Sequence, residues 1–271
     1  MVFSETTPCL EYPIVAFDTE TSGAYPLESE VIEIGAVKWH NGQIVGRFQT
    51  LVKPSELLTP ENTRIHGITN DMVANAPLMK EVILGFCDFV SDSVLLAHHA
   101  PFDLGFMAPA IEINGLNFPK NKHFCTSLLS RSLLHTTNHK LQTLVKELQL
   151  IGGDAHRAYD DAYACLQVFL KCIEKLSPEV TVQRLQEIQS KDINWENYKV
   201  LNTEDEKIKT IVKSIAERKP LLIKYEGGQS KKEFRSIIPK GLIRNPDGDY
   251  VNAICDIDQQ RKRFYLSKIS F

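Results

Sequence analysis

The sequence predicts an α/β protein built on a mixed sheet flanked by helices, followed by a small β-rich C-terminal domain. Three observations lead there. Three strand patterns succeed one another near the N-terminus, and strand and helix patterns then alternate to about residue 176. The stretch 220–271 holds only short strand-like pieces between turns. With 271 residues, 43% of them apolar, the chain can bury one large core or two smaller ones.

PIVAFD at 13–18 is a short apolar run that reads as a buried strand. VIEIGAVKWH at 31–40 alternates apolar and polar residues, as a half-buried strand does, and NGQ at 41–43 is a turn leading into a third strand at 44–52. The spacing then predicts a helix over 78–91, a buried strand at 94–98, a helix over 102–113 and a strand at 123–127. Helices follow near 127–135 and 139–149, and the longest helical pattern runs over 156–176. Residues 179–204 read as one short helix and a polar linker, 205–218 as a helix, and LLIKYE, EFRSIIPKGLIR, DYVNAICDID and RFYLSKISF as strands separated by GG and NPDG turns. The expected division is therefore 1–178, a connecting 179–204, and 205–271.

The net charge of -3 argues against a basic nucleic-acid binder only while the chain is taken whole. Residues 1–206 carry 16 Lys/Arg against 27 Asp/Glu, a net of -11, whereas residues 207–271 carry 15 against 7, a net of +8. Such a split points to two modules with different tasks. No apolar run approaches the ~20 residues of a membrane span. The start MVFSETTPCLEYP has neither the basic nor the apolar region of a secretory signal. Six scattered cysteines without a CxxC pair read as reduced, mostly buried thiols, and the expected compartment is cytoplasmic.

Three stretches carry chemistry. Asp18 and Glu20 of FDTET end the first strand, and residues i and i+2 of a strand share a face. Side-by-side carboxylates repel, and become favourable when a divalent cation lies between them. Alone, the pair reads equally as two solvated acids. Asp103 of HHAPFD begins a helix, where the plain reading is an N-cap. His156 and Asp161 of HRAYDDA lie five apart at another helix start; alone they would be a surface histidine near a capping acid.

In this order, FDTET, HHAPFD and HRAYDDA resemble the DEDDh family of 3'→5' exonucleases, of the kind found in the epsilon subunit of bacterial DNA polymerase III and in PolC. The resemblance covers about residues 10–176 and includes the intervening Ile65-His66-Gly67-Ile68-Thr69. It implies a ribonuclease H-like fold, with Asp18, Glu20, Asp103 and Asp161 holding two Mg²⁺ or Mn²⁺ ions. Asp18 would bridge them. Two such ions stabilise both ends of an in-line phosphodiester displacement. His156 would be the general base, since an imidazole, with an unperturbed pKa near 6.5, suits that task. Thr21, Ile65, His66 and Phe102 would line the pocket for terminal nucleotides, with core packing the plain alternative for Ile65 and Phe102. Asp160, one residue short of the family spacing, is expected to face solvent. His99 departs from the family, where many members carry Asn.

Residues 220–271 resemble, loosely, a WYL-type domain, with Asp249-Tyr250-Val251 standing where Trp-Tyr-Leu would be. Basic residues interleave there with Phe234, Tyr250, Phe264 and Tyr265, a composition that suits single-stranded nucleic acid, or else a β core with a solvated charged face. The expected function is a metal-dependent exonuclease acting on single-stranded DNA 3' ends, alone or with a polymerase or repair complex, and without a membrane partner. The alternatives are an exoribonuclease and a regulatory, ligand-sensing protein on a nuclease fold.

Overall fold

Apolar side chains on both faces of PIVAFD require a strand covered by two layers. In the computed structural model, which describes residues 4, 6–227 and 234–271, Ile14–Thr21 form that strand, β1. β2 (Val31–His40) and β3 (Gln43–Leu51) complete the expected antiparallel meander. Asn41 and Gly42 turn the β2–β3 hairpin with φ of 49° and 82°, the positive values a two-residue hairpin loop needs.

Two helices that apolar periodicity does not mark come next, α1 (Pro60–His66) and α2 (Asn70–Val73). Caps hold α1: Thr59 and Asn62 form a capping box, Pro60 opens the first turn, and Gly67 ends the helix at φ 72°. α3 (Met79–Val90), β4 (Val94–Ala97), α4 (Pro101–Ile113) and β5 (Lys122–Cys125) follow in the expected alternation. β4 pairs with β1, and β5 with β4, both in parallel. The order β3-β2-β1-β4-β5 therefore sets β1 at the centre of a mixed sheet.

α5 (Thr126–Leu133), α6 (Leu141–Glu147), α7 (Ala158–Glu174) and α8 (Val182–Gln189) complete this layer structure. Val15 and Phe17 of β1 pack with Phe86 of α3 and Leu104 of α4 on one side. Ile14 and Ala16 pack with Cys165 and Phe169 of α7 on the other. Gly35 of β2 lets α7 approach this closely, because a Cβ there would sit 2.1 Å from the Tyr159 nitrogen. All six cysteines are free and buried. No helix among the described residues is long and apolar enough to cross a membrane.

The polar stretch expected as a linker is packed instead. Ile193, Trp195 and Tyr198 join the core beneath α4. Glu112 near the end of α4 accepts backbone N–H bonds from Val200, Leu201 and Asn202 at 2.6, 3.1 and 2.8 Å. The apolar residues of this stretch are held by a 3-10 turn (Trp195–Tyr198), capped by Asn194, so they follow neither helix nor strand periodicity.

α9 (Glu206–Glu217) then leads to β6 (Leu221–Tyr225), β7 (Phe234–Ile243), β8 (Tyr250–Cys255), β9 (Arg261–Tyr265) and β10 (Ile269–Ser270). They form a second, antiparallel sheet in the order β10-β6-β7-β8-β9. Gly228 of the expected GG turn and Glu233, the expected start of a strand, lie outside the described residues. Ile208 and Ile211 of α9 cover Ile223, Val251 and Phe264. The module also meets the first one: Leu242 N donates to the Pro26 carbonyl at 3.3 Å, and a Cβ on Gly241 would lie 2.6 Å from that of Tyr25.

Candidate active site

Alternation along β1 assigns Asp18 and Glu20 to the same face as Ile14 and Ala16, the face covered by α7. Asp18 is half-buried and Glu20 is buried. Thr19, between them, turns toward α4. There Asp103, in the first helical turn and 2% exposed, accepts from Thr19 N at 3.1 Å and from Thr19 Oγ1 at 2.8 Å. Asp103 is thus no N-cap. Ala100 occupies that position, and the Asp103 carboxylate is tied to the catalytic-side strand.

Asp161 comes from the first turn of α7. Its Oδ1 accepts from Gln142 Nε2 at 3.0 Å and its Oδ2 from the His156 backbone N at 3.1 Å. His156 sits on the incoming loop at φ 63°, and its side chain is exposed. One ligand atom each from Glu20, His156 and Asp161 lie within 4.8 Å of one another. Asp160, expected to face solvent, is half-buried: its carboxylate accepts from Asp154 N at 3.1 Å and so braces the loop that carries His156.

Mutual repulsion couples the four carboxylates. Burial, then the charges of Asp103, Glu20, Asp161 and Glu33, push Asp18 well above the usual carboxylate range. Burial, then Asp161 and Glu33, raise Glu20 to about 8. Burial outweighs the Thr19 hydrogen bonds and raises Asp103 to about 7. Asp161 is raised by burial as well. Oxygen donors that repel one another in a buried cluster fit a hard divalent cation, which would relieve that repulsion.

One important residue escaped the motif reading. Glu33 of β2 stands opposite Glu20 in the β1–β2 register and is fully buried. Burial pulls its carboxyl upward, but hydrogen bonds from Arg157, Gln49 and Ala158 N outweigh that and hold it below the usual range. Arg157 reaches it with Nε at 3.1 Å and Nη2 at 2.8 Å, and Ala158 N, at the start of α7, donates at 3.1 Å. Glu33 therefore caps α7 from the sheet. The available signal was a glutamate in the midst of the apolar run VIEIGAV.

Beside the carboxylates runs a groove of about 700 Å³ that contains Glu20, Thr21, Ile65, His66 and Phe102 in its walls. Ile65 is 54% exposed, while Phe102 is half-buried and packs against Phe106 in a tilted pair, ring centroids 5.0 Å apart. His66 is buried; its Nδ1 accepts from Ile68 N at 3.0 Å and its Nε2 has no partner among the described residues. Thr21 Oγ1 donates to the Gly23 carbonyl at 2.7 Å. His99 has φ 69°, a left-handed conformation in which Asn, Asp and His are the favoured non-glycine residues. A cavity of about 440 Å³ on the other side of Glu28 and Ser29 contains none of the four carboxylates.

The sequence model of the family described as exonuclease matches residues 15–169. The chain is 34% identical over 249 residues, 89% of its length, to DNA polymerase III PolC-type of Thermotoga petrophila. It is 38% identical over 191 residues, 70% of its length, to the PolC-type polymerase of Caldanaerobacter subterraneus. It spans only 18% and 14% of those two relatives. Among solved structures, exonuclease X in complex with 5' overhanging duplex DNA is 26% identical with a TM-score of 0.52, over 65% of this chain and 99% of that one. E. coli exonuclease I in complex with an oligonucleotide shares the fold, with a TM-score of 0.55 at 16% identity over 90% of this chain and 55% of that one.

Proposed function

The chain belongs to the exonuclease family, and from that membership we propose that it removes nucleotides from the 3' ends of DNA, preferring single strands. The observation that carries this reading is the cluster of Glu20, His156 and Asp161, with Asp18 and Asp103 within electrostatic reach and Glu20 in the wall of the groove. The similarity to exonuclease X, solved with DNA, supports DNA as the polymer. The similarity to PolC supports a role beside a polymerase.

Asp18, Glu20, Asp103 and Asp161 would hold two Mg²⁺ or Mn²⁺ ions through hard carboxylate oxygens. When bound, such ions stabilise the negative charge that develops on the attacking and leaving oxygens. His156 accepts the proton of the attacking water in this reading. Its support is an exposed imidazole near Glu20 and Asp161, on a loop anchored by its own backbone N–H to Asp161.

Thr21, Ile65, His66 and Phe102 hold the terminal nucleotides. Ile65 and Phe102 offer apolar surface to bases and sugars. Because His66 Nδ1 accepts a hydrogen bond, its Nε2 carries the proton and can donate to a substrate oxygen. For residues 220–271 the proposal is a WYL-type accessory module, supported by a small antiparallel sheet with Tyr250 at the start of β8.

The test is degradation of end-labelled single-stranded DNA and RNA by the purified chain with Mg²⁺, Mn²⁺ or EDTA. The expected result is 3'-end shortening of DNA that EDTA stops. Shortening of RNA alone would replace the substrate, and binding without shortening would favour the ligand-sensing alternative.

A further inference from the structure

The catalytic groove is acidic. Glu20, Glu28, Glu56 and Glu61 all line it, and among its described lining residues Arg261 is the one arginine or lysine. That arginine comes from β9 of the C-terminal sheet. It pairs with Glu28 and lies over the ring of Tyr25 at 5.3 Å. The C-terminal module thus completes a groove that the exonuclease layers begin.

Alternation along β9 puts Arg261, Arg263 and Tyr265 on one face, with Phe264 buried on the other. In the β8–β9 register Tyr250 stands opposite Tyr265, with ring centroids 5.8 Å apart. Arg263 lies over Tyr250 at 5.2 Å, and Lys268 over Tyr265 at 5.9 Å. Aromatic and cation therefore alternate in a ladder: Tyr25 with Arg261, Tyr250 with Arg263, Tyr265 with Lys268. The first rung lies in the catalytic groove. Tyr250 of the second shares a smaller depression with His99 and Phe102, and Phe102 also lines the groove.

We propose that this ladder is a binding site for the single strand upstream of its 3' end, extending the groove across the C-terminal sheet. The proposal rests on the exonuclease reading for the position of the 3' end. Its chemistry matches what an unpaired strand offers. Bases of any kind stack on tyrosine rings, and phosphates meet arginine and lysine. The two-residue repeat along β9, about 6.8 Å, is comparable to the spacing of successive phosphates in an extended strand. The ladder also answers the acidity of the groove, since the net of +8 resides in the segment that supplies these cations.

The experiment measures binding of a labelled oligothymidine of about 15 nucleotides against salt, with Ca²⁺ in place of Mg²⁺ to limit turnover. The Arg263→Gln/Lys268→Gln variant should reduce the slope of log affinity against log salt by about 1.4, from ~0.7 per phosphate contact on single strands. Tyr250→Ala should weaken binding about tenfold. The deficits should diminish as the strand is shortened toward a dinucleotide. Lys171→Gln, a charge loss at a partly exposed position of α7 where the lysine pairs with Glu174, should leave the slope in place. Equal slope and affinity in the ladder variants would overturn the proposal, as would deficits independent of strand length. A parent chain that binds the oligomer with this length dependence yet never degrades it would sink the exonuclease reading and leave the ladder standing.

Discussion

Arg157 and Glu33 form a two-point ion pair, Nε to Oε2 at 3.1 Å and Nη2 to Oε1 at 2.8 Å, that joins the loop carrying His156 to the strand facing Glu20. Removing the arginine strands a buried carboxylate beside an acidic cluster. Arg157→Ala should therefore cost about 2 kcal/mol in urea unfolding, moderated by the partial exposure of the guanidinium. Activity should fall with it, because the loop that carries His156 loses its side-chain tie to β2. Arg157→Lys should restore little of either, since an ammonium cannot make the forked contact.

The carboxylate quartet should be indispensable. Asp18→Ala or Asp161→Asn is expected to lower metal-dependent degradation about 10³-fold or more. Isothermal titration with Mn²⁺ should show weakened metal binding in both. Full activity in either variant would remove that residue from the metal site.

His156→Ala should separate chemistry from metal binding. The turnover rate should drop about 100-fold or more, while Mn²⁺ binding stays near that of the parent. Lost metal affinity in this variant would make the imidazole a ligand and not the base.

Asp160 and Asp161 test the helical register. Asp160→Ala loses one brace on the 154–156 loop and should cost only a few-fold in rate, whereas Asp161→Ala should be inactive. The reverse pattern would exchange their roles.

The metal-free protein should lose stability as the pH rises. Folded Glu20 and Asp103 are raised to about 8 and about 7 from ordinary values of 4.5 and 3.8, so the folded state keeps protons that the unfolded chain has released. Their contribution is full below the ordinary values and is lost as the pH climbs through 7 and 8. His98 and His123, lowered by burial to about 4 and about 3, act on the acid side, where their contribution disappears below 6.5. Between pH 6.5 and 8 the melting temperature in EDTA should therefore fall, by about 5 °C, and Mg²⁺ should flatten the decline.

Much of this was legible in the residues themselves. The five strands up to β5 and the shared face of Asp18 and Glu20 were legible as apolar runs and period-two alternation, whereas the order of the strands in the sheet was not. Helix α1 was missed because it is held by caps at Thr59 and Gly67 and has too short an apolar face to register as periodicity. The capping signals were nonetheless present. Glu33 was hidden because it looks like the polar half of an alternating strand until α7 closes over it. The packing of Trp195 and Tyr198 was obscured by the asparagines and acids around them, which bond to one another and to the backbone of the turn.

The three backbone amides held by Glu112 have a consequence for affinity. They fasten the connecting segment to α4, so the C-terminal sheet is not a tethered bead whose position must be found anew in each encounter. A strand that engages both the carboxylate cluster and the tyrosine–arginine rungs meets a preassembled bivalent receptor. The orientational entropy of joining its two halves is lost during folding, and the second contact then forms at high effective concentration. Glu112→Gln, far from either contact, would loosen that coupling first.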